Sequence, residues 1–352
     1  MVRAERRFNR TKGIERIVER GFIPEQHYLW DFWFVSPHEW GDAGAPYHLY
    51  YLQAPRALRD PNLRHSVATV GHAISHDLRH WVSRGTALEA GRPGSWDDQA
   101  TWTGSVTVRN GLAYMSYTGK CQAEKGLVER IGLAVSTDLV HWERHPGNPL
   151  VEVDTRWYEP QSTERLEAET WRDPYVVYSS DEEVYYMFLS ARVNTGPPDE
   201  RGVIGLARST NLLSWEVLPP VSMPGDFTEM EVPQVVPLNG RYYLLFCATR
   251  HAAARLSHTG ATNWSGTHYL VASRLTGPYR PLTDEPLVAD ATGTYYAGKL
   301  VRDSAGGLSF IAWRQWDEGG DFCGGLSDPA EVHVLPDGRL QVDTQQLWVA
   351  LR

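Results

Sequence analysis

The stretch Gly132-Leu-Ala-Val-Ser-Thr-Asp-Leu-Val-His-Trp142 is one copy of an element that recurs along the chain and decides its fold. Each copy reads as a strand, a turn opened by Ser and by Asp or Asn, and a Trp that begins the next strand. The other copies are Gly71-His-Ala-Ile-Ser-His-Asp-Leu-Arg-His-Trp81, Gly205-Leu-Ala-Arg-Ser-Thr-Asn-Leu-Leu-Ser-Trp215 and a degenerate Leu270-Val-Ala-Ser-Arg-Leu-Thr-Gly-Pro-Tyr279.

An aromatic strand precedes this element in every unit. Asn-Gly and Gly-Gly dipeptides, typical of hairpin turns, lie just upstream of several of these strands. Each unit therefore contains about four strands, and radial sheets of that kind build a β-propeller. The aromatic strands are Tyr47–Tyr51, Leu112–Tyr117, Val184–Phe188, Arg241–Phe246 and Leu308–Trp313.

The repeat predicts an all-β fold, a five-bladed β-propeller. We expect a single catalytic domain over residues 26–352, preceded by an N-terminal segment, residues 1–25, in which residues 12–20 can form a helix. A sandwich or separate domains would not explain one period that runs the whole length of the chain.

Composition narrows the classes of function. The 352 residues carry a net charge of -9, which argues against nucleic acid or an anionic membrane as a partner. The three cysteines have no metal-like spacing, and the N-terminus lacks the apolar segment of a signal peptide. We therefore expect a cytoplasmic protein without a cofactor or a bound metal. Abundant Trp and Tyr suit sugar rings, although most aromatic residues fill sheet cores.

Three carboxylates lie where the first strand of a unit begins. Asp31 lies within the aromatic run Leu29-Trp-Asp-Phe-Trp-Phe-Val35, Asp173 within Trp171-Arg-Asp-Pro174, and Glu231 within Glu229-Met-Glu-Val-Pro233. The first strand of a propeller blade lines the central channel, so these residues should meet at one mouth. The corresponding stretches of blades two and five are Trp102-Thr-Gly-Ser105 and Tyr295-Tyr-Ala-Gly-Lys299.

Carboxylates in such an arrangement can cleave a glycosidic bond, one as nucleophile or base and one as acid. Asp31 is short and held on a strand, as a nucleophile requires. Glu231 has apolar neighbours that should raise its pKa, as a general acid requires. Asp173, beside Arg172, should stay ionised and bind sugar hydroxyls. Two alternatives remain open, since Arg172 and Asp173 can be a structural ion pair and Glu229 can exchange roles with Glu231.

The motifs Trp30-Asp-Phe-Trp33, Arg172-Asp-Pro174 and Glu229-Met-Glu-Val-Pro233, in this order, resemble the three acidic motifs of the fructan-active clan. That clan comprises glycoside hydrolase families 32 and 68, with family 43 more distant. The resemblance implies that Asp31 is the nucleophile, Asp173 the transition-state stabiliser and Glu231 the acid/base of a retaining mechanism through a fructosyl-enzyme.

The same resemblance implies substrate contacts. Trp102-Thr-Gly-Ser105 is similar to the Trp-Ser-Gly-Ser segment of levansucrases, which makes Trp102 a stacking floor and Ser105 a hydroxyl ligand. For Lys299 the sequence leaves a substrate hydroxyl, a phosphate, a carboxylate or a neighbouring acid as partners. The expected substrate-binding residues are Trp30, Trp102, Ser105, Arg172, Glu229, Tyr296 and Lys299.

Departures from the family pattern indicate a divergent, propeller-only member. Family 32 usually begins with Trp-Met-Asn-Asp-Pro-Asn-Gly, which is absent, and blade four has Glu-Val-Pro in place of Glu-Cys-Pro. The stretch Leu326-Ser-Asp-Pro-Ala-Glu331 is similar to the Leu-Ser-x-Pro-Arg-Glu run that precedes a β-sandwich in family 32, and we expect a member without that sandwich.

The sequence therefore predicts a retaining β-fructofuranosidase-like glycoside hydrolase that acts on a small saccharide. Three alternatives remain: an inverting family 43-like arabinofuranosidase or xylosidase, a fructosyltransferase, and a non-catalytic sugar-binding propeller. Product anomer separates the first alternative, and binding without turnover would identify the last.

Overall fold

The computed structural model describes residues 21–161, 168–249, 264–317 and 319–347. The helix expected at residues 12–20, and most of the expected N-terminal segment, lie outside these ranges. Within them, no helix is long and apolar enough to cross a membrane.

The chain forms five small antiparallel sheets arranged as a five-bladed propeller, so the predicted all-β fold is confirmed. The helical elements that the structure describes are short: α1 (Pro37–Trp40) and the 3-10 turns Pro61–Ser66, Pro198–Glu200 and Thr344–Gln346. The strands are β1 (His27–Val35), β2 (Tyr47–Pro55), β3 (Thr69–Ser75) and β4 (Val82–Leu88) in blade one; β5 (Ala100–Arg109), β6 (Leu112–Lys120), β7 (Glu129–Ser136) and β8 (Glu143–Arg144) in blade two; β9 (Trp171–Ser179), β10 (Val184–Arg192), β11 (Gly202–Ser209) and β12 (Glu216–Leu218) in blade three; β13 (Glu231–Leu238), β14 (Arg241–Ala248), β15 (Ser265–Ala272) and β16 (Val288–Asp290) in blade four; and β17 (Tyr295–Arg302), β18 (Leu308–Trp316), β19 (Phe322–Leu326), β20 (Ala330–Val334) and β21 (Leu340–Val342) in blade five.

Blade five joins the two ends of the described chain. Its second strand pairs with β19 near one end and with β20 near the other, so these two segments share the role of third strand. The backbone of Phe22 then exchanges two hydrogen bonds with Leu326 of β19, at 3.0 and 2.8 Å. The residues ahead of blade one are thereby tied to blade five.

The recurring Ser-Asp turn forms as the sequence predicts. In blade two, Asp138 Oδ1 accepts hydrogen bonds from the backbone N–H groups of Val140 and His141, and Ser136 Oγ accepts one from Leu139. Leu139 adopts φ 63°, and its side chain is buried. The side chains of the turn thus stabilise a left-handed backbone that anchors one apolar residue in the core.

The first strand of every blade carries a register shift near the same mouth of the channel. At four of these shifts a residue other than glycine has positive φ: Asp31 (21°), Asp173 (58°), Val232 (51°) and Ala297 (49°). A β-bulge of this kind turns a side chain away from the regular alternation and bends its strand. The bulges therefore decide which side chains of each first strand reach the mouth.

Candidate active site

A cavity of about 550 Å³ lies at this mouth of the channel. Of the predicted site residues, eight line it, contributed by all five blades: Trp30, Asp31, Trp102, Arg172, Asp173, Glu229, Glu231 and Tyr296. The other described lining residues are Arg64, His65, Glu129, Ala168, Thr228, Val232, Thr249, Trp313 and Gln315. The repeat thus brings residues that are far apart in the sequence into one concave site.

Asp31 lies on the bulge of β1 and is half-buried. Its Oδ1 accepts a hydrogen bond from Trp313 Nε1 at 3.0 Å, and its Oδ2 accepts one from Thr103 Oγ1 at 3.4 Å. Burial, together with the negative charges of Asp173 and Glu231, raises the pKa of Asp31 to about 7. The carboxyl group is therefore fixed in orientation and electrostatically coupled to the other two acids.

Asp173 is held in the wall of the cavity by its own blade and by blades two and four. Its Oδ2 accepts hydrogen bonds from Ser190 Oγ at 2.8 Å and from the backbone N–H of Val232 at 3.0 Å. Its own N–H donates to Thr118 Oγ1 at 3.0 Å. These bonds lock the carboxylate and also connect the bulges of blades three and four.

Arg172 is the centre of a buried network of opposite charges. Its Nη2 donates to Glu229 Oε2 and to Glu231 Oε1, both at 2.8 Å, and its Nη1 lies 3.4 Å from Glu129 Oε2. Its approach to Asp173 is longer, 3.8 Å from Nε to Oδ2. Arg172 thus lies beside Asp173 as expected, but its closest contacts are with the glutamates of blades two and four.

The pKa values of the two blade-four glutamates shift in opposite directions. Burial raises the pKa of Glu231, and the charge of Glu229 adds to this rise against the opposing charge of Arg172. Burial also disfavours ionised Glu229, but Arg172 and a 2.8 Å hydrogen bond from Thr170 Oγ1 outweigh it and lower the pKa of Glu229. These opposite shifts favour Glu231 over Glu229 as a proton donor.

Two indoles border the cavity in different ways. Trp102 has the Lys120 ammonium 3.7 Å from its ring centroid and donates from Nε1 to the carbonyl of His65 at 2.8 Å. These two contacts fix the plane of its ring at the cavity wall. Trp30 is only 1% exposed, so it is mainly a core residue that touches the cavity at its edge.

Ser105 and Lys299 are not among the residues that line the cavity. Ser105 Oγ accepts a hydrogen bond from the backbone N–H of Val176 at 3.1 Å. Lys299 is 4% exposed and its Nζ donates to the carbonyls of Val232 and Pro233, at 2.8 and 3.1 Å. Burial lowers the pKa of Lys299 to about 8. Both predicted substrate contacts are engaged instead in tying strands together inside the channel.

The sequence-based predictions missed Glu129, Trp313 and Arg64. Glu129 is 1% exposed and accepts hydrogen bonds from Lys120 Nζ and from the backbone N–H of Trp171, each at 3.2 Å. Glu129 lies at the start of an apolar strand, and a charge at that place is the signal that identified the other acids. It was missed because its strand is the third of its blade and only first strands were searched. Trp313 belongs to an aromatic strand and was interpreted as a core residue. Arg64 lies in a 3-10 turn, where the sequence shows no repeating pattern that would single it out.

Two further expectations concern the channel region. Within the described ranges, no group of three or more His, Cys, Asp or Glu side chains could hold a metal ion. The sequence also predicts an irregular stretch from Thr249 to Thr267; residues 250–263 of it lie outside the described ranges, and β15 begins within it, at Ser265.

A family model and two curated proteins are similar to this chain in sequence. Residues 33–327 match the family model for the glycosyl hydrolases family 32 N-terminal domain. An insoluble β-fructofuranosidase isoenzyme of Arabidopsis thaliana is 29% identical over 230 residues, which cover 61% of this chain and 37% of that protein. An acid β-fructofuranosidase of Phaseolus vulgaris is 29% identical over 154 residues, which cover 42% of this chain and 21% of that protein. The matches thus span well under half the length of these relatives.

Solved structures show the same fold. Inulosucrase from Halalkalicoccus jeotgali bound to kestose superposes with a TM-score of 0.72 and 23% identity, covering 92% of this chain and 89% of that one. Sucrose-6-phosphate hydrolase from Lactobacillus gasseri gives 0.70 and 20% identity, covering 92% and 63%. Bacillus subtilis levansucrase gives 0.70 and 14% identity, covering 92% and 87%.

Proposed function

Because the chain belongs to glycosyl hydrolase family 32, we propose that its cavity is the active site of a retaining enzyme that releases a terminal β-fructofuranosyl unit from a small saccharide. One observation supports this proposal above the others. Asp31, Asp173 and Glu231, from three separate blades, line one cavity, and Glu231 has a raised pKa. A fixed carboxylate, together with a second carboxyl group whose pKa is raised, is the pair that glycoside cleavage requires.

In the first step Asp31 attacks the anomeric carbon while Glu231 protonates the leaving oxygen. Trp313 and Thr103 donate hydrogen bonds to Asp31, which favours its ionised form and fixes the direction of attack. A proton on Glu231 removes one of the negative charges that raise the pKa of Asp31. The protonated acid and the ionised nucleophile therefore favour each other.

In the second step Glu231, now ionised, takes a proton from water, which attacks the fructosyl-enzyme and releases the sugar. Arg172 and the Tyr296 hydroxyl group each donate a hydrogen bond to Glu231, and both bonds favour the ionised form that this step requires. Asp173 is held so that it can accept hydrogen bonds from ring hydroxyls as positive charge develops on the sugar. A sugar hydroxyl that replaces water at this step would make the same site a transferase.

The substrate is tested with a panel of sucrose, short inulin and levan oligosaccharides, an aryl arabinofuranoside and an aryl xyloside. We expect release of fructose and no cleavage of the pentosides. Asp31→Ala and Glu231→Gln should each lower kcat/KM by at least about a hundredfold, because each removes several kcal/mol of transition-state stabilisation.

Three outcomes would contradict the proposal. Cleavage of a pentoside without cleavage of any fructoside would move the protein to the inverting alternative. Variants of Asp31 or Glu231 that stay within about tenfold of the wild type would remove their catalytic roles. Sugar binding measured by calorimetry, without turnover of any substrate, would identify a binding protein.

A further inference from the structure

Arg64 is a cavity residue with most of its hydrogen-bonding capacity unused. It lies in the 3-10 turn Pro61–Ser66, between β2 and β3, and is 8% exposed. Its Nη1 donates to the carbonyl of Pro61 at 3.1 Å, whereas its Nε is buried without a hydrogen-bond partner in the part of the chain that the structure describes. A buried guanidinium with unpaired donors beside a cavity needs a ligand that completes it.

Aromatic rings hold this guanidinium in place without using its donors. Its Cζ lies 4.2 Å from the ring centroid of Phe322 and 5.5 Å from that of Trp30. Stacking covers the flat surface of the group and leaves its N–H edge available. Trp30 directly precedes Asp31, and the positive charge of Arg64 lowers the pKa of Asp31 against the larger effect of burial. Arg64 therefore lies on the side of the cavity where the nucleophile acts.

We propose that Arg64 is a substrate-binding residue, which donates N–H hydrogen bonds to hydroxyl oxygens of the fructosyl unit that Asp31 attacks. This inference rests on the proposed function. The leaving group must lie toward Glu231, which blade four supplies, whereas Arg64 and Asp31 both belong to blade one. Leaving such donors unpaired in a buried place is unfavourable, so a sugar hydroxyl that supplies the missing partner gains affinity and orientation.

The test combines one enzyme variant with changes to the substrate. We would measure kcat/KM of the wild type and of Arg64→Met on sucrose and on analogues that each lack one hydroxyl group of the fructosyl unit. Arg64→Met should lower kcat/KM for sucrose about 10- to 100-fold, as expected for loss of a charged hydrogen bond. The analogue that lacks the hydroxyl bound by Arg64 should be a poor substrate for the wild type, and Arg64→Met should lower its kcat/KM little further.

Arg56→Met is the matched control. Arg56 also stacks on an aromatic ring, with Cζ 4.7 Å from the centroid of Tyr28, but its Nε and Nη2 donate to the carbonyls of Pro24 and Gly324, each at 3.1 Å. It is not among the residues that line the cavity. This control should lower the melting temperature and leave kcat/KM within about threefold of the wild type, as expected for a residue that touches no substrate.

The outcomes separate the inference from the function on which it rests. If the wild type cleaves sucrose and Arg64→Met lowers kcat/KM by the same factor for sucrose and for every analogue, Arg64 has only a structural role. If the wild type cleaves no fructoside, the proposed function itself fails. Should Arg64→Met not fold, Arg64→Lys keeps the charge and loses the planar fork, so it should show the same selective loss in a folded protein.

Discussion

Replacing Tyr296 with Phe should raise the pH at which Glu231, the proposed catalytic acid, loses its proton. The Tyr296 hydroxyl group donates to Glu231 Oε2 at 2.5 Å, and the tyrosine is 7% exposed. This hydrogen bond favours the ionised glutamate and so lowers the pKa of Glu231 against the larger effect of burial. Removing it should let that pKa rise further.

The size of the shift follows from the strength of the lost bond. A hydrogen bond to a charged group is worth about 1.5–3 kcal/mol, and one pKa unit corresponds to about 1.36 kcal/mol. The pKa of Glu231 should therefore rise by about 1–2 units in Tyr296→Phe. In the proposed mechanism Glu231 acts first as an acid, so activity that requires its proton should persist to a correspondingly higher pH.

The assay is the pH dependence of kcat/KM on sucrose, whose basic limb reports the free enzyme's acid. Tyr295→Phe is the matched control, because Tyr295 is the adjacent residue of β17 and packs against a blade core. We expect the basic limb to move to higher pH in Tyr296→Phe alone. A basic limb that stays in place, or that moves to lower pH, would refute this account of Glu231.

Two further predictions concern the channel and the blade cores. Lys299→Met removes the ammonium group that holds the carbonyls next to Glu231, so the acid should be less well positioned. The value of kcat/KM should therefore fall about tenfold more for sucrose than for an aryl fructoside, because the aryl leaving group needs less protonation. Gln234→Leu, which cuts the Gln234–Leu300 hydrogen bonds between the same two strands, should reduce stability to urea but leave that substrate ratio unchanged; equal ratios in both variants would contradict a positioning role for Lys299. Burial lowers the pKa of His268 to about 4, whereas the pKa of this histidine in the unfolded chain is about 6.5. Between these two pH values only the unfolded chain binds the proton, so the free energy of unfolding should fall as the pH drops from 6.5 to 4. His268→Phe should reduce that slope by up to about 1.4 kcal/mol per pH unit in urea titrations at pH 7, 6 and 5, and an unchanged slope would contradict it.

The sequence predicted the position of the acids because the repeat itself carries that information. Asp31, Asp173 and Glu231 each open or interrupt a first strand, and a propeller brings first strands together. The fold and the three acids at one mouth therefore follow from periodicity and from charge at the start of apolar strands.

The bulge of β17 explains why Lys299, expected to bind substrate, does not line the cavity. Strict alternation along β17 cannot tell whether Tyr296 or Lys299 reaches the cavity, because the register shift between them resets which side each side chain faces. The bulge puts the Tyr296 hydroxyl group on Glu231 and turns Lys299 to the carbonyls of Val232 and Pro233. Such a shift depends on packing between neighbouring blades and leaves no reliable local signal.

The partners of Arg172 could not be read from sequence for a related reason. Its neighbour Asp173 was the obvious partner, yet three glutamates from two other blades lie closer to its guanidinium nitrogens. A buried arginine needs several acceptors, and the fold decides which acids are within reach. Glu129 reaches it from a third strand, so a search limited to first strands could not include it.

The central claim is that Asp31 is a nucleophile and that the reaction retains configuration. Proton NMR of the first product formed from sucrose, recorded before mutarotation, tests it most directly. We expect β-fructofuranose to appear first, since two displacements at one carbon restore the original anomer. Initial release of the α anomer would mean a single displacement by water, with Asp31 acting as a base, and would contradict the fructosyl-enzyme mechanism.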